Sequence, residues 1–150
     1  MEQFRLNERG FTLVETILVL SIVMVITASV VYVTTSRIEA AEEKRFFRQF
    51  HLDMQKIQSI AIGETKYTHI YFDEIGSKYV GEWAKTRLFE YKVPKHIRLS
   101  ADSSLKRVSF HPNGMVSQFG TFLFEIEKGT KTVTKTVTVY IGTGRLNYEE

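Results

Sequence analysis

Residues 16–36 contain no charged side chain, and this run constrains the chain more than any other feature of the sequence. A helix needs about 20 predominantly apolar residues to cross a bilayer core. Buried helices of soluble proteins are usually shorter and keep a polar face, so the run reads as a membrane span. One acid, Glu15, stands directly before it, behind Gly10 and Phe11. A carboxylate in hydrocarbon is costly unless it meets a partner. An ordinary secretory signal would be cut after its apolar stretch at a small-x-small site. Here Ile26-Thr27-Ala28 puts a bulky side chain where a small one is needed.

The remainder differs in kind. Beyond Arg37 the chain is polar, aromatic-rich and mixed in charge, as expected of a water-facing domain. The 150 residues carry a net charge of +3 and no cysteine. Disulfides, lipid attachment through a thiol and thiolate metal sites are thereby excluded. In the leader, Arg5 and Arg9 stand against Glu2 and Glu8. The positive-inside rule then favours a cytoplasmic N-terminus and an exported C-terminal domain.

The hexapeptide Gly10-Phe11-Thr12-Leu13-Val14-Glu15, behind a short polar leader and ahead of an apolar helix, resembles the processing site of type IV prepilins and pseudopilins. That resemblance implies cleavage by a prepilin peptidase between Gly10 and Phe11, with N-methylation of Phe11. Glu15 lies about one helical turn from the new amine. Between packed subunits, the Glu15 of one chain would pair with the Phe11 amine of its neighbour. In a low-dielectric bundle either charge left alone is expensive, so the pair fixes axial register.

Past Ser36 the apolar residues Phe47, Phe50, Met54, Ile57 and Ala61 recur at spacings of three and four, one face of a helix. Arg45, Arg48, Asp53 and Lys56 are expected on other faces, and His51 at the surface or its boundary. No Pro or Gly interrupts residues 11–62, and Gly63 stands as a C-terminal stop. The amphipathic half needs a cover, most simply a sheet from the same chain.

From Lys66 the pattern alternates. KYTHIYFD, KYVGEWA, RLFEYKV, IRLSA, RVSFHP, TFLFEIEK and TKTVTVYI read as strands. They are separated by turn residues at 74–77, 102–104, 112–114 and 128–130. The expected fold is α+β, a pilin-like long helix packed on an antiparallel β-sheet domain. Its expected divisions are a leader (1–10), an apolar transmembrane or filament-core helix (11–36), an amphipathic helix (37–63) and an extracellular strand-rich domain (64–150).

The last third carries a second likeness. Phe110, Pro112, Gly114, the Gly120-Thr121 pair and the Gly-x-Gly-Arg of residues 142–145 are similar to the C-terminal half of GspH/FimT-type pseudopilins. Within that group the ending looks most like the ComGD-type minor pseudopilins of the Gram-positive competence pilus. The resemblance implies a minor pilin of a DNA-uptake (transformation) machine. Its partners would be other pseudopilins and the prepilin peptidase. It would sit in the membrane before assembly and at the cell surface in the pilus afterwards. A GspH-type subunit of a type II secretion system and an unassembled single-pass binding domain are the alternatives.

No catalytic constellation is present. His51, His69, His96 and His111 stand far apart, without metal-ligand spacing. No Walker motif occurs, and Gly142-Thr143-Gly144 lacks the third glycine of a dinucleotide fingerprint. A non-enzyme without metal or cofactor is expected. Residues 85–107 hold Lys85, Arg87, Lys92, Lys95, Arg98, Lys106 and Arg107 against Glu90 and Asp102, with Trp83, Phe89 and Tyr91 nearby. Such cations neutralise phosphates and aromatics stack on bases, which makes these residues, with Arg145, candidates for DNA contact. Strand alternation offers the other reading, with aromatics in the core and charges on a solvated face.

Overall fold

The computed structural model describes residues 12–149. One helix, α1 (Leu13–Gly63), precedes eight strands. These are β1 (Thr68–Phe72), β2 (Lys78–Trp83), β3 (Thr86–Lys92), β4 (Ile97–Leu99), β5 (Arg107–Phe110), β6 (Gly120–Lys128), β7 (Lys131–Val139) and β8 (Leu146–Glu149). Contacts divide the chain into two compact units whose boundary, Arg37 to Ile38, falls inside α1.

In the first unit Thr12 caps the helix. Its Oγ1 accepts the Glu15 N–H at 3.3 Å and its carbonyl accepts the Thr16 N–H at 3.1 Å. A Thr followed three residues later by Glu is a sequence signature of a helix start. The residues beyond are rich in Val, Ile and Thr, whose branching lowers helix propensity in water. In hydrocarbon the helix wins, because it satisfies every backbone group within one segment. The hydroxyls obey the same rule. Thr16, Ser21, Thr27, Ser29, Thr34, Thr35 and Ser36 each donate to a carbonyl three or four residues back, at 2.7–3.0 Å.

In the second unit α1 buries Glu43, Phe46, Phe47, Phe50, Asp53, Met54, Ile57 and Ala61. The five apolar residues expected on the inner face are all there. Asp53, expected on an outer face, is instead 6% exposed. The physical reason is that two sheets cover the helix rather than one, which widens its buried stripe.

The first sheet has the order β3-β2-β1-β5 and the second β4-β6-β7-β8, with every pairing antiparallel. After two hairpins the chain leaves β3 for the edge of the second sheet, returns as β5 beside β1, and then runs through β6, β7 and β8. Phe50 joins the layers. Its ring lies 5.6 Å from Phe72 and 5.3 Å from Tyr79 in the first sheet, and 5.6 Å from Phe122 and 6.0 Å from Phe124 in the second. Gly81 is required by close approach: a Cβ there would stand 2.3 Å from Cζ of Phe89.

Two local features depart from expectation. Gly63 lies within α1, and the stop is made two residues later. The Lys66 N–H donates to the Ala61 carbonyl at 3.2 Å and the Thr65 N–H to that of Ile62 at 3.3 Å, with Thr65 at φ 51°. This is the Schellman arrangement, with a β-branched residue where glycine is favoured. The β2–β3 hairpin turns through Ala84 (φ 47°) and Lys85 (φ 69°), the left-handed pair of a type I′ turn.

Thr65→Gly should therefore stabilise the domain by about 1 kcal/mol, by removing the left-handed penalty. Phe50→Ala should cost about 3–5 kcal/mol. Urea melts of the detergent-solubilised chain check both.

Candidate functional site

The first unit presents an apolar helix surface with a single charge near its start. The large apolar side chains from Leu13 to Val33 are exposed, and the span they form is long and apolar enough to cross a membrane. With its hydroxyls turned inward, the helix shows lipid or a packed neighbour no polar side chain in need of water. Glu15 is the exception. It sits at the third helical position, where the dipole favours a negative charge. Among the described residues no cation forms an ion pair with it. Gly10 and Phe11, the cleavage pair expected from the motif, lie outside the described residues.

The cations singled out between residues 85 and 107 are not gathered onto one strand or one sheet. Lys85 is in the β2–β3 turn, Arg87 and Lys92 are on β3, Lys95 lies between β3 and β4, and Arg98 is on β4. Lys106 precedes β5 and Arg107 opens it. Strands β3 and β5 are opposite edges of the first sheet, while β4 is an edge of the second. Two of these cations are engaged, Arg87 with Glu90 at 2.7 Å and Arg98 with Glu127 at 2.9 Å. Arg107 lies over the Tyr71 ring at 6.0 Å. The aromatics face inward: Phe89 and Tyr91 pack on the core, and Tyr91 stacks on Tyr79 at 5.5 Å. Trp83 is half-buried beneath the Lys66 ammonium, 4.9 Å away. Arg145 stands in the β7–β8 turn and lines a cavity of about 210 Å³ with His51 and Gln58.

A polar network inside the second unit escaped the sequence reading. Asp53 Oδ2 accepts the Tyr79 hydroxyl at 2.6 Å and Oδ1 accepts from Gln49 at 3.0 Å. Burial and this bond together hold the Tyr79 hydroxyl well above the usual tyrosine range. Glu43, 8% exposed, meets Lys128 at 3.1 Å and Lys135 at 3.6 Å. The spacing contained the signal for Asp53, which lies three residues after Phe50 and four before Ile57 and so shares their face.

The histidines are dispersed. His69 contacts Ser109 at 2.8 Å, and burial followed by the Arg107 charge lowers its pKa. His96 faces Glu42 at 3.7 Å, and His111 lies against the Tyr67 ring. His51 engages Gln55 and the Tyr148 hydroxyl. Among the described residues no three His, Asp or Glu side chains form a metal cluster. Beside His51, α1 and the β7–β8 edge frame a groove of about 670 Å³, lined by Ala40, Lys44, Phe47, Arg48, Leu52 and Tyr148 among others.

Residues 5–31 match the prokaryotic N-terminal methylation motif. No curated protein sequence matches the chain significantly. Its fold is like that of the type IV minor pilin FimU of Pseudomonas aeruginosa in two crystal forms, each at 15% identity. In one the TM-score is 0.54, over 69% of this chain and 84% of FimU. In the other it is 0.53, over 69% and 89%. A long N-terminal helix packed on antiparallel sheets is thus a pilin-like α+β fold.

Tyr79→Phe should cost about 1–3 kcal/mol, because it strips a donor from a buried carboxylate. Combined with Asp53→Ala, its additional cost should largely vanish. A double-mutant cycle in urea measures that coupling.

Proposed function

We propose that this chain is a minor pseudopilin, a structural and non-catalytic subunit of a competence type IV pilus that takes up DNA. The observation that carries the reading is Glu15, the one charge at the start of an exposed apolar helix, five residues behind Gly10 within the matched methylation motif. The likeness to a type IV minor pilin supports it at the level of fold.

In this reading the chain enters the membrane once, with residues 1–10 in the cytoplasm. Prepilin peptidase cuts between Gly10 and Phe11 and methylates the Phe11 amine. The exposed helix then leaves lipid for a bundle of neighbouring pseudopilin helices, where the Phe11 amine of an adjacent subunit meets Glu15. An uncompensated charge in that bundle costs about 3–5 kcal/mol. A misregistered subunit is therefore disfavoured about a hundredfold or more. The strand-rich domain faces outward and contributes the filament surface.

The competence assignment rests on the likeness of the chain's ending to ComGD-type subunits. Of the residues that carry the wider likeness, Phe110, Gly114 and the turn at 142–145 come together, while the Gly120-Thr121 pair lies apart against Ser104 and Leu105. The Val116 N–H donates to the Gly142 carbonyl at 2.9 Å, Gly144 lies against Val116 and Phe110, and Gln58 of α1 donates to the carbonyls of Gly114 and Thr143. Direct DNA contact by the scattered cations, Arg145 included, is a separate and weaker proposal, since their neighbouring aromatics serve the core.

Glu15→Ala should leave the chain processed and membrane-bound but absent from sheared filaments, while transformation falls. Incorporation of Glu15→Ala at the wild-type level would contradict the proposal and favour an anchored binding domain.

A further inference from the structure

Leu52 is 50% exposed although it belongs to the folded second unit, and it lines the groove between α1 and β8. Ala40, Phe47 and Tyr148 continue the apolar floor. Lys44 and Arg48 line the same groove and make no ion pair among the described residues. The acid within it, Glu43, is already held by Lys128 and Lys135. At 3.6 residues per turn, Lys44 and Arg48 lie about 40° apart on α1, whereas Glu39 and Glu42 are turned about 140° and 160° away from Lys44. The groove therefore joins an apolar floor to a positive rim.

Chain connectivity points to the occupant. The second unit begins at Ile38, two residues beyond the end of the uncharged run at Ser36. Lys44 and Arg48 follow Ile38 by six and ten residues, about 9 and 15 Å of helix rise. No tilt of the domain carries them farther than that from its point of attachment. The headgroup layer of a bilayer is itself about 5–7 Å deep. Long side chains on a helix lean toward its N-terminus, which here is the end joined to the span. The rim is thus tethered within reach of lipid phosphates, and a tethered site meets its ligand at a high effective concentration. A phospholipid also matches both chemistries of the groove, with an anion for the rim and ester and acyl carbons for the floor. The volume of about 670 Å³ suits a headgroup and the first carbons of its chains.

We infer that the α1/β8 groove holds an anionic phospholipid of the surrounding membrane, with its phosphate between Lys44 and Arg48 and its glycerol and upper acyl carbons on Ala40, Phe47 and Leu52. The inference rests on the reading of residues 16–36 as a membrane span and needs no particular pilus. The lipid holds the domain against the membrane surface before assembly, and a subunit leaving the bilayer gives it up. Being electrostatic at its rim, the contact weakens as salt screens it.

Because the chain has no native cysteine, Leu52→Cys places a single bimane label in the groove. The labelled full-length chain is put into nanodiscs of phosphatidylcholine with and without phosphatidylglycerol. Bimane emission should shift to the blue, and be quenched by a headgroup nitroxide lipid, only where phosphatidylglycerol is present. Lys44→Glu with Arg48→Glu should reduce that quenching several-fold. Arg45→Glu, at the same distance from the span but outside the groove, should leave it unchanged. All these positions are exposed, and matching melting curves would verify folding. Native mass spectra of the unlabelled chain should show one phosphatidylglycerol retained by the wild type and lost from the double variant. Identical emission in both discs, or an equal loss with Arg45→Glu, would overturn the inference. So would a blue shift produced in neutral discs by inorganic phosphate or by an acidic peptide, the first assigning the groove to a free anion and the second to a protein partner. Alkaline carbonate extraction of native membranes reports the span separately. A chain that resists extraction but has an unresponsive groove loses only this inference, whereas an extracted chain loses the span reading.

Discussion

A single helix in this protein has to suit two surroundings, and the rest of the structure follows from that constraint. Its first unit carries exposed Val, Ile and Leu with hydroxyls bonded back onto the helix. Such a surface is stable only in lipid or against other apolar helices. The second unit buries eight residues of the same helix among strands drawn from both sheets. Phe46 and Phe50 each meet Tyr79 of the first sheet and Phe124 of the second, while Phe47 meets Phe124 and Tyr148 of the second, so one face of α1 bridges both sheets. Glu15 belongs to the first unit.

Much of the fold was legible because its signals are periodic. The uncharged run at residues 16–36, the three-and-four spacing from Phe47 to Ala61, and the alternation beyond Lys66 each specify an element through side-chain direction alone. What escaped depends on tertiary context. A period locates a buried face but not its width, so the second sheet and the burial of Asp53 were missed. Strand β8 is only four residues long, follows a glycine-rich turn and was not among the expected strands. The caps at Thr65 and Ala84-Lys85 use residues with no preference for left-handed backbone, so composition gave no sign of them.

The functional features divide along similar lines. Gly10, Phe11 and Glu15 are readable as a motif because the processing and pairing proposed for them would need a fixed sequence spacing. The basic stretch is close in sequence, yet its strands go to different sheets, and Arg87 and Arg98 are occupied by Glu90 and Glu127. Proximity in the chain overstated proximity in space. The groove beside β8 shows the reverse, since Tyr148 and Lys135 are remote in sequence from the α1 residues they join.

The most direct measurement is the intact mass and N-terminal fragmentation of the chain from its own membranes, with and without the prepilin peptidase. A chain beginning at N-methylated Phe11, and only when the peptidase is present, is the result expected of a filament subunit. An unprocessed Met1 terminus under both conditions would contradict it.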